Sequence, residues 1–211
     1  MSEQKNSVLP RGVTREEFNA AVEKFRALLG EENVLVKAEQ LIPYNKIMMS
    51  VENAAHAPAA ALTATSVEQV QGIVKICNQH RIPIWTISTG RNFGYGTAAP
   101  AQRGQVILDL KKMNKIIKID PDMCTALVEP GVTFQQLYDY IEEHKLPLML
   151  SFSAPSAIAG PLGNTMDRGV GYTPYGEHFM MQCGMEVVLA NGDVYRTGMG
   201  GVKGSNTWQI F

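Results

Sequence analysis

Phe18, Ala21, Val22, Phe25, Leu28 and Leu29 recur at the spacing of one helical face. Thr14 with Glu17 gives that helix a capping-box start, and Gly30 gives it a stop. A short apolar run at 34–36 predicts a strand, whereas 40–60 shows no period and is expected to be irregular. From Ala61 the pattern turns α/β. Strands are expected at 62–64 and 84–88. Between them Ser66 and Gln69 cap a helix with Val67, Val70, Ile73, Val74 and Cys77 on one side. Such a strand–helix–strand unit implies a parallel pair with a right-handed crossover.

Residues 106–110 read as a buried strand, and 116–119 with 125–128 as two strands joined at Pro121-Asp122. Thr133 and Gln136 cap a third helix carrying Phe134, Leu137, Tyr138 and Ile141. Asn191-Gly192 between 185–189 and 194–196 is a strong hairpin signal. The second half is therefore expected to hold an antiparallel or mixed sheet with helices. The stretch from Ser151 to His178 has many glycines and no sustained period, and so long a loop in a compact domain points to binding. Within it, 163–169 fits one helical turn with Asn164 as N-cap and Asp167 in a capping role. Its N-terminus would be a second place for phosphate or an electron-rich ring.

The richest chemistry lies in Ile84-Trp-Thr-Ile-Ser-Thr-Gly-Arg-Asn-Phe-Gly-Tyr-Gly96. An apolar run ends in a loop whose glycines allow backbone angles closed to other residues. Successive amides in such a turn make a concave anion site, and Arg91 adds a fork of donors suited to phosphate oxygens. The loop reads as a diphosphate cradle, with the Tyr95 hydroxyl free for other work. Gly94-Tyr-Gly-Thr-Ala-Ala99 matches the dinucleotide fingerprint only formally, because Pro100 follows where that motif needs a helix. No Gly-Lys-Ser/Thr follows the loop, which removes a Walker reading.

A formal net charge of -1 over 211 residues offers no field for nucleic acid or anionic lipid. No apolar run approaches the ~18 residues of a membrane span, and the first residues lack a secretory core. Cys77, Cys124 and Cys183 are widely spaced and read as buried thiols, without disulfide or metal spacing. His178 reads as a surface residue, and His56, His80 and His144 as structural or solvated, so no metal site is expected. No nucleophile elbow or Ser-His-Asp pattern supports hydrolysis. The aromatic ending Trp208-Gln-Ile-Phe211 leads us to expect the N-terminal part of a longer protein.

Four blocks carry a resemblance: Thr86 to Gly96, Val128-Glu-Pro-Gly-Val132, Gly163 to Gly176, and Gly184-Met-Glu-Val-Val-Leu-Ala-Asn-Gly192. Their sequence, order and spacing resemble the vanillyl-alcohol oxidase and p-cresol methylhydroxylase (PCMH) flavoproteins over nearly the whole chain. The resemblance implies an α+β (mixed α/β) PCMH-type FAD-binding domain of two α/β subdomains, truncated at its C-terminus. Residues 1–50 would be an arm, helix and lead-in, and 51–211 the domain, divided near residue 100. Ser88, Thr89, Gly90, Arg91, Asn92 and Phe93 would wrap the FAD diphosphate. Gly163, Asn164 and Gly169 would face the flavin, Val187 the adenine, and Tyr95 the phenolate of the substrate. The implied activity is removal of hydride from the para-alkyl carbon of a 4-alkylphenol, followed by hydration of a quinone methide. Electrons would pass to a c-type cytochrome subunit. An oxygen-using aryl-alcohol oxidase, or a cofactor-binding piece without chemistry of its own, are the other readings. In this family the alcohol oxidase places an aspartate in the neighbourhood where Ala154 to Gly160 has no carboxylate, which favours the hydroxylating dehydrogenase. The implied homodimer, and a covalent flavin link from residues beyond 211, are further expectations. The compartment reads as cytoplasmic from the sequence, and periplasmic if a c-type cytochrome is the partner.

Overall fold

The computed structural model describes residues 7–48, 50–92, 97–154, 156–172, 174, 176–202 and 204–205. Local signals set the helices. α1 (Arg15–Leu29) starts at Thr14, whose Oγ1 accepts from Glu17 N at 3.2 Å while Glu17 Oε2 accepts from Thr14 N at 2.9 Å. It buries Phe18, Ala21, Val22, Phe25 and Leu29, the face that the spacing marks out. α2 (Val67–His80) starts at Ser66, whose hydroxyl accepts from Gln69 N, and buries Val70, Ile73 and Cys77. These two helices pack on each other and on a four-stranded sheet, forming the main core.

The sheet is built from β1 (Val34–Leu35), β2 (Ala60–Thr63), β3 (Ile84–Ile87) and β4 (Val106–Asp109), in the order β1-β2-β4-β3. β1 is antiparallel to β2, whereas β2 and β3 both run parallel to β4. The expected direct pairing of the strands around α2 is therefore corrected: β4 lies between them. Burial explains the order. Val106, Ile107 and Leu108 are sealed on both faces, as a central parallel strand requires, while Ile84 and Trp85 of β3 keep partial exposure at the edge.

Residues 40–60, expected to be irregular, hold two 3₁₀ segments, Ala38–Tyr44 and Asn53–His56. Leu41 and Tyr44 of the first join Ala61, Ile87, Ala98 and Ile107 in a second core cluster. Asp109, 1% exposed, ends β4. Its Oδ2 accepts from the Tyr44 hydroxyl at 2.6 Å and pairs with Lys111 Nζ at 2.9 Å. Burial and the Asp109 charge push the Tyr44 phenol up to about 12. Burial pulls the Lys111 ammonium down, but its bonds to Asp109 and Tyr44 outweigh this and raise it. A raised tyrosine stabilises the fold fully below its ordinary value near 10 and loses that contribution as pH climbs towards 12. Thermal melts from pH 9 to 12 should therefore fall more steeply for the wild type than for Tyr44→Phe. Parallel curves would contradict this.

Beyond β4 the chain forms β5 (Ile116–Asp120) and β6 (Thr125–Val128), α3 (Phe134–Glu143), α4 (Pro161–Met166), and β7 (Glu186–Val188) with β8 (Val194–Arg196). Thr133 caps α3 with a full capping box. The antiparallel pairing expected in the second half is present as two separate two-stranded ribbons, β5-β6 and β7-β8. The β7–β8 hairpin docks instead on α2, where Gln71 Nε2 donates to Gly192 O at 2.6 Å and Asn78 Nδ2 to Ala190 O at 2.7 Å. The expectation of three buried thiols holds for Cys77, whose thiol burial pushes up to about 12. It fails for Cys124, exposed in the β5–β6 turn, and Cys183 is intermediate. No helix among the described residues is long and apolar enough to cross a membrane.

Candidate cofactor site

The site begins where β3 stops. Ladder pairing ends with Leu110 N donating to Ile87 O at 3.0 Å, and the chain then leaves the sheet at Ser88. Among the described residues, none accepts a hydrogen bond from the main-chain amides of Ser88, Thr89, Gly90, Arg91 or Asn92. Unpaired backbone donors cost free energy unless water or a ligand meets them, so this run of five is available to an acceptor from outside the described residues. Gly90 sits at φ 66, a left-handed angle, and an added Cβ would approach Ala98 Cβ to 2.9 Å. Thr97 N closes the turn onto Asn92 O at 3.0 Å. The Arg91 side chain is exposed. Phe93 and Tyr95 lie outside the described residues.

Two further segments hold this loop. The Ser88 hydroxyl donates to the carbonyl of Pro130. Gly131 presses against the β4 exit, where a Cβ would lie 2.6 Å from the carbonyl oxygens of both Leu110 and Lys111. Its amide donates to Met113 O at 2.7 Å. The start of α4 comes from the other side. A Cβ on Gly160 would fall inside the contact radius of Ser88 Oγ, and one on Gly163 would come to 3.2 Å from Ser88 Cβ. Asn92 Nδ2 then donates to Asp167 Oδ2 at 2.7 Å. Ser88, Thr89, Gly90, Arg91, Asn92 and Gly163 are thus brought together, with Asn164 in the same short helix.

Two expectations about this helix are corrected. It begins earlier, with Gly160 as N-cap and Pro161 in the first turn, where the fixed φ of proline suits the start of a helix. Asn164 is therefore inside α4 rather than at its cap, and Asp167 closes the C-terminal end. Nor is His178 a surface residue. It is 5% exposed, with Nδ1 2.5 Å from Asn164 Oδ1 and Nε2 2.9 Å from Ser151 Oγ. Desolvation lowers its pKa below the usual histidine value. Gly169 completes the arrangement: a Cβ there would overlap the Asn164 carboxamide. Val187 lies in β7, on the hairpin that α2 holds, and is partly buried. Ser151, Pro130 and the Asn92–Asp167 pair gave no readable signal, because their partners lie 27 to 75 positions away.

Two recesses open away from the loop. One, of about 240 Å³, is lined by Leu41, Ile42, Asn45 and Arg103 among others. The other, of about 370 Å³, lies beside Phe179, Gln182, Cys183 and Thr197.

Residues 58–198 match the family model described as FAD binding domain. The chain is 85% identical over 211 residues to the 4-cresol dehydrogenase [hydroxylating] flavoprotein subunit of Pseudomonas putida, covering all of this chain and 40% of that protein. The fold superimposes on a crystal structure of p-cresol methylhydroxylase with substrate bound, with a TM-score of 0.94 and 85% identity, covering 97% of this chain and 40% of that one. A 4-ethylphenol oxidase from Gulosibacter chungangensis, solved as an isoeugenol complex, gives a TM-score of 0.91 at 40% identity over 96% of this chain and 39% of that one. The chain thus spans about 40% of the length of these relatives.

Proposed function

The chain belongs to the FAD-binding domain family, and from that premise we propose that it serves a hydroxylating dehydrogenase of 4-alkylphenols such as p-cresol. The observation that carries the cofactor reading is the run of five main-chain amides, Ser88 to Asn92, with no acceptor among the described residues. These donors and the Arg91 guanidinium would hold the diphosphate, with Phe93 assigned to the same loop by the family resemblance. Gly163, Asn164 and Gly169 would face the flavin, and the backbone near Val187 the adenine. The donor set fits: it is rich in neutral N–H groups, carries a cation, and the carboxylate of Asp167 beside it is engaged by Asn92. FAD supplies the hydride acceptor.

The residues of this chain would bind and orient. The Tyr95 hydroxyl donates a hydrogen bond to the phenolate oxygen of the substrate. The substrate's negative charge helps hydride leave the para-alkyl carbon, since the product is a neutral quinone methide. Water adds to that carbon to give the 4-hydroxybenzyl alcohol, and a second oxidation gives the aldehyde. Electrons then pass to a c-type cytochrome. Residues 51–211 would form the FAD-binding unit, with α1 and β1 of residues 1–50 packed into its first core and β4 carrying the first sheet past residue 100.

The test uses the full-length protein with FAD, p-cresol and an artificial electron acceptor in the absence of oxygen; these 211 residues alone are expected to bind FAD without turnover. Flavin bleaching by p-cresol is expected, and no reduction would refute the reading. Tyr95→Phe should weaken phenol binding about 10-fold or more, the worth of a charge-assisted hydrogen bond, with FAD still bound. Unchanged substrate affinity would remove that role. The likeness to a 4-ethylphenol oxidase gives a second reading, with dioxygen as acceptor. Peroxide formed in step with substrate loss in air would favour it. The carboxylate-free run Ala154 to Gly160 supports the dehydrogenase.

A further inference from the structure

We propose that His178 is a positioning residue for the cofactor site, acting as a neutral relay between Ser151 and the Asn164 carboxamide. The inference rests on the site proposed above. The carboxamide oxygen of Asn164 only accepts hydrogen bonds, so the imidazole atom 2.5 Å away, Nδ1, carries the proton. In a neutral ring Nε2 is then an acceptor, and the Ser151 hydroxyl at 2.9 Å donates to it. For the neutral ring the bonds therefore run from Ser151 Oγ–H to Nε2, then from Nδ1–H to Asn164 Oδ1.

The fold holds this chain of bonds from several sides. His178 N donates to Gly169 O at 3.1 Å, and Gly169 N donates to Asn164 O at 2.7 Å. The missing side chain at Gly169 leaves the space that the Asn164 carboxamide fills. Burial favours the uncharged ring. With Oδ1 held by His178, the Asn164 amide has one orientation, and its Nδ2 donors are set before the cofactor arrives. Preorganised donors cost less to order on binding. Neither His178 nor Ser151 belongs to the residues taken to touch FAD, so their effect is exerted through Asn164.

The test compares FAD affinity, by flavin fluorescence quenching, in His178→Asn, His178→Gln and His178→Phe. Asparagine places an N–H donor near the position of Nδ1 and keeps the bond to Asn164. Glutamine reaches the Ser151 end, and phenylalanine fills the space without any donor. His178→Asn should stay within about threefold of the wild type, while Gln and Phe should each weaken FAD binding by about tenfold or more. The apoprotein melting temperature, followed in parallel, reports folding. If Phe does not fold, the Asn–Gln contrast decides. Equal losses for Asn and Gln, a larger loss for Asn, or unchanged affinity throughout would overturn the inference. Wild-type protein that takes up no FAD would remove the site reading, and the positioning role with it.

Discussion

Asp109→Ala should cost about 3 kcal/mol of stability, because it strands buried donors at the end of the central strand. Three groups converge on this carboxylate: the Tyr44 hydroxyl at 2.6 Å, Lys111 Nζ at 2.9 Å and Lys111 N at 2.9 Å. Lys111 is half exposed and can turn to water, so its loss is minor. The Tyr44 hydroxyl cannot: the residue is 5% exposed, and its remaining polar neighbour, Lys111 Nζ, is itself a donor. A buried donor without an acceptor costs ~1–3 kcal/mol, and the Lys111 amide loses its acceptor as well. Asp109→Asn keeps one acceptor oxygen and should cost about half as much. Urea melts of the two variants check this, and an alanine variant within 1 kcal/mol of the wild type would contradict it. Ile87 lies directly opposite Asp109 in the sheet, one residue before the glycine loop, so the same variant should loosen the loop.

Gly160→Ala should weaken FAD binding by about 100-fold while the fold survives. The added Cβ meets Ser88 Oγ, whose bond to Pro130 keeps it from moving aside without loss. Relief must come from separating α4 and the loop after β3, the two segments that the proposal places around the cofactor. Gly163→Ala is the internal control. Its Cβ reaches 3.2 Å from Ser88 Cβ, a contact that a few tenths of an ångström relieves, so a change of a few-fold is expected. Isothermal titration with FAD measures both. A larger loss at Gly163 than at Gly160, or none at either, would show that the contact between these segments is not what holds the cofactor.

Short-range chemistry was legible in the chain. Thr14, Ser66 and Thr133 cap the helices their spacing marks, and Asn191-Gly192 turns the hairpin where expected, because each signal acts over a few residues. The exit from β3 into the glycine loop was also legible, since an apolar run stops where glycine and short polar residues begin. What needed the third dimension was not. The place of β4 between β2 and β3 follows from burial on both faces, which a strand's own residues do not order. The Tyr44–Asp109 bond joins residues 65 positions apart. The burial of His178 has no local signature, because a histidine looks the same in sequence whether solvent or Asn164 and Ser151 meet its nitrogens. Asn164 carries a cap-forming side chain, yet Pro161 sets the helix start three residues earlier.

The most direct test is amide NMR on ¹⁵N-labelled protein titrated first with ADP and then with FAD. Shared diphosphate recognition predicts that the signals of Ser88, Thr89, Gly90, Arg91 and Asn92 move with both ligands, while amides paired within α1 stay in place. Saturable FAD binding that leaves those five signals unmoved would contradict the account.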